Sequence, residues 1–390
     1  MQSSIHDADS RLIIFTHVLH YRVDGKLLAH GPYVNEINIL ANRVREIVLV
    51  APLVVHAQNI SADNIPYAKT PRLIALPVVG GDGIVDKLNY VWAVPILIFQ
   101  IIRGILTPGI LHPRAPGSVA MLSLILISIL GRKKRKFAKF AGEWDATESL
   151  PSTFRWQRHW LAKKVLFNGP VFVYTTRPND AHIIPSFTSN LTEADIQRAN
   201  DFGSDKVLND NLVMVFAGRL VTNKGVDVLL EALSIVNQTS KAWQLLIMGD
   251  GAEKENLQQQ AREQGIASQV KWLGWCSQQA MMEHMRDAHL ICQPTRFTES
   301  WGKVLQEGMA FGCVPIASAV GGLKRQLIDK PELLFESGNA HQCATIIRNF
   351  IDRKLDYGDL KKWSLNQSRL YSLDALADFT WKTYDEYYAS

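Results

Sequence analysis

Two apolar segments of strand length, separated by one helix, impose the strongest constraint on the fold. Residues 289–293 and 314–318 each form a short apolar run, and the helical pattern between them begins at residues 301–302 and ends at Gly312. Glycine is favoured after the last turn of a helix because it adopts the left-handed conformation without strain. A strand, a helix and a second strand in this order predict an α/β fold with a parallel sheet.

Two glutamates accompany that helix: Glu299 in the loop before it and Glu307 two turns inside it. A carboxylate just before a helix can accept hydroxyl groups while the free N–H groups of the first turn bind phosphate. Glu307 can reach a diol such as a ribose. In the alternative interpretation Glu299 caps the helix and Glu307 is solvated, and an isolated pair of glutamates favours that alternative.

The surrounding motifs favour the functional interpretation. The run from Thr298 to Glu307 resembles the E-x7-E signature of retaining, nucleotide-sugar-dependent glycosyltransferases of the GT-B fold, family 4 or group 1. The resemblance continues over about 110 residues, in the segments 216–219, 223–225, 247–251, 312–318 and 320–322. It implies two doubly wound Rossmann-like domains that face each other across a cleft. The first 200 residues resemble this family more loosely.

The length of the chain, 390 residues, predicts two domains. We expect an acceptor-binding domain over residues 1–205, a nucleotide-sugar-binding domain over 206–370, and a C-terminal helix, 371–390, that returns to the first domain. With 47% hydrophobic and 20% charged residues the chain is globular rather than disordered. Its four cysteines lack metal-ligand spacing, which indicates reduced thiols and a cytoplasmic protein. The polar first ten residues do not resemble a signal peptide.

The first domain offers two candidate residues near its predicted strand ends. Residues 11–17 and 45–52 read as strands, joined by a loop and a helix over residues 33–43. The resemblance implies that this loop faces the donor phosphate and the acceptor, where Gly31 would allow close backbone approach; alternatively Gly31 only starts the helix. Arg114, at the end of a later strand, holds an anionic group of the acceptor or pairs with a neighbouring carboxylate.

The second domain offers two cations after its first strand, residues 212–216. Arg219 can donate two parallel hydrogen bonds and Lys224 adds a point charge, a combination that suits a diphosphate leaving group. The alternative is that both are solvated loop cations. Because the Walker spacing is missing, a nucleotide triphosphatase is not expected. By resemblance we assign Arg219, Lys224 and Glu299 to catalysis. The resemblance implies the donor-binding residues Gly218, Gly249, Gly274, Trp275, Ser300, Trp301, Gly302 and Glu307.

A run of five cations, residues 132–136, follows two apolar segments, 88–106 and 119–130. Neither segment supplies the uninterrupted apolar length of a membrane span, so we expect buried or interfacial helices. The run suits an anionic membrane surface, and its alternative is a solvated turn. Nucleic acid is not expected, because no groove-reading or base-stacking motif is present. We predict a peripheral protein on the inner face of a membrane.

The resulting prediction is retaining transfer of a hexose from a UDP- or GDP-linked donor to a glycan or lipid-linked acceptor, in surface polysaccharide or glycolipid synthesis. No cofactor or metal is expected, because the DxD pattern occurs only at Asp7–Asp9, in the polar tail. Two departures from the family concern the catalytic chemistry: the strand end at residues 140–145 contains no histidine where many members have one, and Arg325 stands where relatives often carry glutamate. A UDP-sugar epimerase, a phosphorylase and a non-catalytic sugar-nucleotide-binding protein are the alternatives.

Overall fold

The computed structural model describes residues 11–55, 60–61, 63–79, 84–145, 151–175, 178, 180–236, 242–297 and 299–389, without the side chains of 84–91. The predictions for Thr298 and for the Asp7–Asp9 pattern lie outside these residues. The chain divides into two units, one of Met1–Phe187 with Leu376–Ser390 and one of Thr188–Ala375. Both are α/β units built on parallel strands, as the sequence predicts.

The first unit is a Rossmann-like sheet with helices. Its strands are β1 Arg11–Phe15, β2 His20–Val23, β3 Lys26–His30, β4 Glu46–Val54, β5 Asn64–Pro66, β6 Arg72–Leu76, β7 Ile110–Ala115, β8 Ala138–Glu143, β9 Val171–Tyr174 and β10 Ile183–Pro185. Its helices are α1 Gly31–Ala41, α2 Ile84–Leu106, α3 Ser118–Leu130 and α4 Ser152–Ala162. The parallel order is β10-β9-β8-β7-β1-β4-β6. Residues 12–15 of β1 are fully buried because their apolar side chains face helices on both sides of the sheet.

A β-hairpin over residues 20–30 follows β1, where the sequence predicts a loop. Strands β2 and β3 pair antiparallel, Val23 opposite Lys26, and β2 also pairs with β4. Asp24 and Gly25 form the turn, with φ of 47° and 75°. An Asp-Gly pair between apolar residues is the signal for such a two-residue turn, and that signal was present in the sequence.

The second unit has the strand order of a doubly wound nucleotide-binding sheet. Its strands are β11 Leu212–Ala217, β12 Trp243–Met248, β13 Val270–Gly274, β14 Leu290–Gln293, β15 Val314–Ser318 and β16 Leu334–Phe335. Its helices are α5 Glu193–Ser204, α6 Val226–Val236, α7 Lys254–Glu263, α8 Gln278–Asp287, α9 Lys303–Ala310, α10 Gly321–Gln326, α11 Ala340–Ile351 and α12 Tyr357–Arg369. The parallel order is β13-β12-β11-β14-β15-β16, which reverses direction between β11 and β14.

The division between the units falls earlier than the expected boundary after residue 205. Helix α5 belongs to the second unit, because Ile196 and Ala199 pack in one apolar cluster with Val215 and Ile291 of its sheet. The last helix, α13 Leu373–Ala389, contributes its residues from Leu376 onward to the first unit. There Trp381 and Tyr384 meet Phe137 edge-to-face, with ring centroids 5.6 and 5.9 Å apart.

Candidate functional site

Two loops of the second unit are joined where its strand order reverses. One follows β11, and its residues Thr222–Lys224 form a 3-10 turn; the other follows β14. The Arg296 N–H donates to the Asn223 carbonyl at 2.8 Å, and the Phe297 N–H donates to Asn223 Oδ1 at 3.2 Å. The two loops therefore form one surface at the point where doubly wound sheets bind their ligands.

Lys224 and Glu299, predicted separately from the sequence, form an ion pair across these two loops. Lys224 Nζ donates to Glu299 Oε2, and the two side chains keep 19% and 22% of their surface exposed. A pair exposed to this extent can be reached by a ligand. Arg219 lies on the same loop as Lys224, is exposed, and has no ion-pair partner within the described part of the chain.

Three of the predicted glycines form a row at the ends of β11, β12 and β13. The Gly218 N–H donates to the Met248 carbonyl at 3.0 Å, and the Gly249 N–H donates to the Gly274 carbonyl at 2.7 Å. A Cβ on Gly249 would lie 1.9 Å from the Gly218 oxygen, so no larger residue fits there. Trp275, the next residue after this row, leaves 60% of its surface exposed. The row therefore brings bare backbone and an exposed indole to the same edge.

The loop before α9 is held by its own backbone and by Arg325. Gly302 caps the helix with φ of 40° and no side-chain cap, and a Cβ there would lie 2.3 Å from Leu323 Cδ2. Arg325 Nη2 donates to the Ser300 carbonyl at 2.7 Å, and its guanidinium lies 5.9 Å from the centroid of the buried Trp301 ring. The arginine that departs from the family pattern thus fixes the segment that contains Ser300, Trp301 and Gly302.

Glu307 is buried in α9, which contradicts the alternative interpretation of a solvated glutamate. Asn190 Nδ2 donates to Glu307 Oε1 at 2.7 Å, and Lys303 Nζ donates to Asn190 Oδ1 at 3.0 Å. Glu307 Oε2 accepts no hydrogen bond from the described residues. Burial raises the pKa of Glu307, and the Asn190 hydrogen bond and the Lys303 charge oppose that rise. One carboxylate oxygen is therefore fixed while the other lacks a partner.

Asn190 and Lys303 were missed by the sequence analysis, for different reasons. Asn190 lies 117 residues before its partner Glu307, between the last strand of the first unit and α5, where no periodic pattern marks it. Lys303 stands inside the E-x7-E run and reads as a solvated cation. Only the folded chain brings the amide and the two charges together.

In the first unit, Gly31 and Arg114 both make contacts within the protein itself. The Gly31 N–H donates to the Asp63 carbonyl at 2.8 Å, and a Cβ on Gly31 would lie 3.1 Å from that oxygen, so its close backbone contact is internal. Arg114 Nη1 donates to Glu36 Oε1 at 2.7 Å, and Lys139 Nζ donates to the same oxygen at 2.9 Å. The alternative in which Arg114 pairs with a carboxylate is therefore correct.

The basic run at residues 132–136 is not five exposed cations. Lys136 is buried, and its Nζ donates to the Arg132 carbonyl at 3.0 Å and to Asn168 Oδ1 at 2.6 Å. Lys134 Nζ donates to the Ile105 and Thr107 carbonyls at the end of α2. Two of the five charges therefore form hydrogen bonds inside the fold, Lys134 with the end of α2 and Lys136 with Arg132 and Asn168.

Comparison with known proteins finds a family match for most of the second unit. Residues 197–366 match the family model described as "Glycosyl transferases group 1". The phosphatidylinositol N-acetylglucosaminyltransferase gpi3 subunit of Schizosaccharomyces pombe is 27% identical over 195 residues, 48% of this chain and 41% of that protein. A phosphatidyl-myo-inositol mannosyltransferase of Mycobacterium leprae is 38% identical over 117 residues, 30% of each chain. The match thus spans at most about two fifths of the length of these curated relatives.

Solved structures resemble the whole chain in fold. Sucrose-phosphate synthase from Thermosynechococcus elongatus superposes with a TM-score of 0.65 at 18% identity, over 97% of this chain and 99% of that one. HepE of Anabaena, solved in complex with UDP, gives a TM-score of 0.66 at 15% identity, over 97% of this chain and 100% of that one. The fold is GT-B, with two Rossmann-like domains.

Proposed function

We propose that this protein transfers a sugar, with retention of anomeric configuration, from a nucleoside-diphosphate donor, because residues 197–366 match the family model of the group 1 glycosyl transferases. The observation that carries the proposal is the Lys224–Glu299 pair at the strand reversal of the second sheet. A cation for the leaving phosphate and a carboxylate for the sugar hydroxyls stand side by side there. A diphosphate-linked sugar needs both groups at neighbouring positions.

Lys224 and Arg219 are proposed to act on the diphosphate. As the glycosidic bond breaks, negative charge grows on the leaving group, and fixed cations stabilise that charge more in the transition state than in the ground state. Lys224 is paired with Glu299 before the donor binds. The donor therefore has to separate these two side chains or bind next to the pair. The uncapped start of α9 at Gly302 adds backbone N–H groups in the adjoining loop.

Glu307 is proposed to accept the ribose hydroxyls through Oε2, while Asn190 holds Oε1. The backbone of Gly218, Gly249 and Gly274 would lie along the nucleotide, since larger residues would block the close approach at Gly249. Trp275, exposed beside this row, is available to stack on the base. In this scheme the sugar, the diphosphate, the ribose and the base each meet a different element of the second unit.

A glycan or lipid-linked acceptor is proposed for the first unit. Two relatives of the second unit are named for phosphatidylinositol substrates, which supports a lipid-linked acceptor and a role in glycolipid or surface polysaccharide synthesis. The internal contacts of Gly31 and Arg114 mean that other residues of this unit would have to contact the acceptor. Independence from metal ions stays a prediction from the sequence.

Kinetics of cation variants test the proposal once the donor is known. Titration calorimetry with UDP-, GDP- and ADP-sugars identifies the donor, and Lys224→Ala and Arg219→Ala are then compared with the wild type. Each should lower kcat/KM about 30- to 1000-fold, the effect of losing about 2–4 kcal/mol of transition-state stabilisation. Lys362→Ala is the matched control, because its side chain is 74% exposed on α12. Unchanged kcat/KM in both site variants would disprove the assignment.

The product pattern separates transfer from the alternatives. A transferase releases nucleoside diphosphate only when the acceptor is present, an epimerase returns an isomerised sugar nucleotide without acceptor, and a binding protein turns over neither. Phosphatidylinositol and undecaprenyl-linked sugars are the first acceptors to supply. Epimer formation in the absence of acceptor would replace the proposal by the epimerase.

A further inference from the structure

A stripe of large apolar side chains lies exposed along α2. Trp92 and Phe99 are 81% and 61% exposed, and Ile96 and Leu106 are also exposed. The spacings of four, three and seven residues put these four side chains on one face of the helix. The opposite face carries Leu97, Ile101 and Ile105, which are buried in the core of the first unit. The helix therefore has two apolar faces, of which only one has a partner among the described residues.

The end of α3 extends this stripe. Ile129 and Leu130 are exposed in its last turn. Lys134 ties the following turn to the end of α2, because its Nζ donates to the Thr107 carbonyl at 2.8 Å. Leu106 of α2 and the last turn of α3 are thereby brought to the same part of the surface. We call the six exposed apolar residues of α2 and α3, with Arg103, Arg132 and Lys133, the α2–α3 surface.

The charge around the α2–α3 surface has one sign. Between residues 87 and 142 the chain contains nine lysines and arginines and no aspartate or glutamate. Arg114, Lys134, Lys136 and Lys139 are used inside the fold. Arg103, Arg132 and Lys133 remain exposed beside the apolar side chains, and Arg103 lies 5.9 Å from the centroid of the Phe99 ring. The surface thus combines apolar bulk with positive charge and carries no acidic group in its sequence.

We propose that the α2–α3 surface docks the protein on an anionic lipid bilayer. Tryptophan, phenylalanine and isoleucine would enter the headgroup region, while the arginines and lysine contact lipid phosphates. No helix in the described ranges is long and apolar enough to cross a bilayer, so the contact is interfacial. The proposal rests on the proposed function in one respect: docking would bring the enzyme to a lipid-linked acceptor.

The positive charge of the α2–α3 surface favours an anionic bilayer over a second copy of this chain as the partner. A symmetric dimer through the α2–α3 surface would bring Arg103, Arg132 and Lys133 of both copies together without any acidic partner. An anionic bilayer instead neutralises all of these cations and also accepts the apolar stripe. Each cation near such a surface increases partitioning roughly fivefold.

Sedimentation with vesicles tests the proposal. The full chain is spun with phosphatidylcholine vesicles containing 30% phosphatidylglycerol, and with pure phosphatidylcholine, at low and high salt. Trp92→Ser/Phe99→Ser should lower binding at least about tenfold, and Arg132→Gln/Lys133→Gln about 25-fold with a weaker salt dependence, since Arg103 remains. Phe202→Ser and Arg198→Gln/Lys362→Gln are the matched controls, because these residues are exposed on the second unit.

Each outcome decides the question. Binding of the wild type and of both controls, with loss in both surface variants, supports lipid docking. Failure of the wild type to sediment with anionic vesicles at low salt overturns the proposal, as does full binding by the Trp92→Ser/Phe99→Ser variant. A concentration-dependent dimer that this variant abolishes would assign the surface to a second copy. Nucleotide affinity, measured separately by calorimetry, reports on the proposed function and is expected to be unchanged in all of these variants.

Discussion

Each unit carries a cluster of charged side chains. The cluster in the first unit is buried, and the ion pair in the second unit is partly exposed. In the first unit, Glu36 lies between Arg114 and Lys139, and the three side chains are only 8%, 11% and 6% exposed. In the second unit, Lys224 and Glu299 are 19% and 22% exposed, and the buried Glu307 keeps one oxygen without a partner among the described residues. The first cluster is complete, whereas the second, the open cluster, has a partly exposed ion pair and a buried carboxylate oxygen that accepts no hydrogen bond from those residues.

This difference teaches that a charge at the carboxyl edge of a Rossmann-like sheet is not by itself a ligand site. Arg114 and Lys139 are register partners on neighbouring strands, and one carboxylate oxygen satisfies both. Arg114 also lies 5.1 Å from the centroid of the Tyr33 ring, which completes its surroundings. A ligand would have to displace Glu36 from two cations, which makes this cluster a structural element rather than a binding site.

The largest expected effect is on stability, in the closed cluster. Glu36→Gln leaves two buried cations adjacent without a carboxylate and should lower the free energy of unfolding by about 3–5 kcal/mol. Glu46→Gln is the control: its pair with Arg11, at 2.6 Å, is more exposed and contributes about 1 kcal/mol or less. Urea denaturation of both variants measures the difference. Equal losses would mean that the closed cluster contributes no more than a surface pair.

The same cluster predicts how stability depends on pH. Burial alone would raise the pKa of Glu36, but the charges and hydrogen bonds of Arg114 and Lys139 outweigh it and hold this pKa well below its usual range. A depressed carboxylate pKa stabilises the fold above the unfolded-state value, and this stabilisation is lost as the pH falls through the folded-state value. Between neutral pH and pH 3, Glu36→Gln should lose less stability than the wild type.

The next effect is on nucleotide affinity, in the open cluster. Glu307→Gln removes a charge-assisted acceptor and should weaken binding of free nucleoside diphosphate about 10- to 150-fold, or roughly 1.5–3 kcal/mol. Glu299→Gln should not weaken this affinity, because it releases Lys224 from its ion pair, while transfer collapses, because Glu299 is assigned to the sugar. Calorimetric titration with diphosphate and with intact donor separates the two variants. Equal diphosphate affinity in both would remove Glu307 from the ribose site.

The raised pKa of Glu307 adds a pH test with a definite sign. The ionised carboxylate accepts ribose hydroxyls through Oε2, so affinity in the wild type should fall as the pH drops through this raised pKa. Glu307→Gln has no such titration, and its weaker affinity should stay flat over the same range. Because the buried carboxylate is costly to ionise, this variant should melt no lower than the wild type at neutral pH.

The smallest effect concerns Asn190, which positions Glu307. Asn190→Leu removes the hydrogen bond to Glu307, along with the one from Lys303, and should weaken diphosphate binding about 2- to 12-fold, or roughly 0.5–1.5 kcal/mol. It should also shift the pH at which binding is lost upward, because the opposing hydrogen bond on Glu307 is gone. Asn256→Leu, at an exposed position on α7, is the control. A drop in affinity without a shift of the pH midpoint would indicate only a packing role.

Local patterns in the sequence determined the α/β fold and the second half of the chain most fully. The strand before Glu299, the helix ending near Gly312 and the next strand follow from apolar runs and one glycine, since their period and capping depend on residues close in sequence. The motifs containing Gly218, Lys224 and Glu299 indicated a resemblance that agrees with the match of residues 197–366 to the group 1 glycosyl transferases. The hairpin turn at Asp24–Gly25 was also encoded locally, although its signal was overlooked.

Only the tertiary structure decided which charged side chains are buried with partners inside the protein and which remain available to a ligand. Arg114 and Glu36 are 78 residues apart, and Asn190 and Glu307 are 117 apart, so no local pattern could pair them. The sequence likewise could not show that Lys134 and Lys136 turn inward while Trp92 and Phe99 point outward. Burial depends on which elements pack against each other, and that packing brings together residues that are distant in sequence. The same arginine or glutamate is structural where the fold supplies it with partners and available to a ligand where the fold leaves it open.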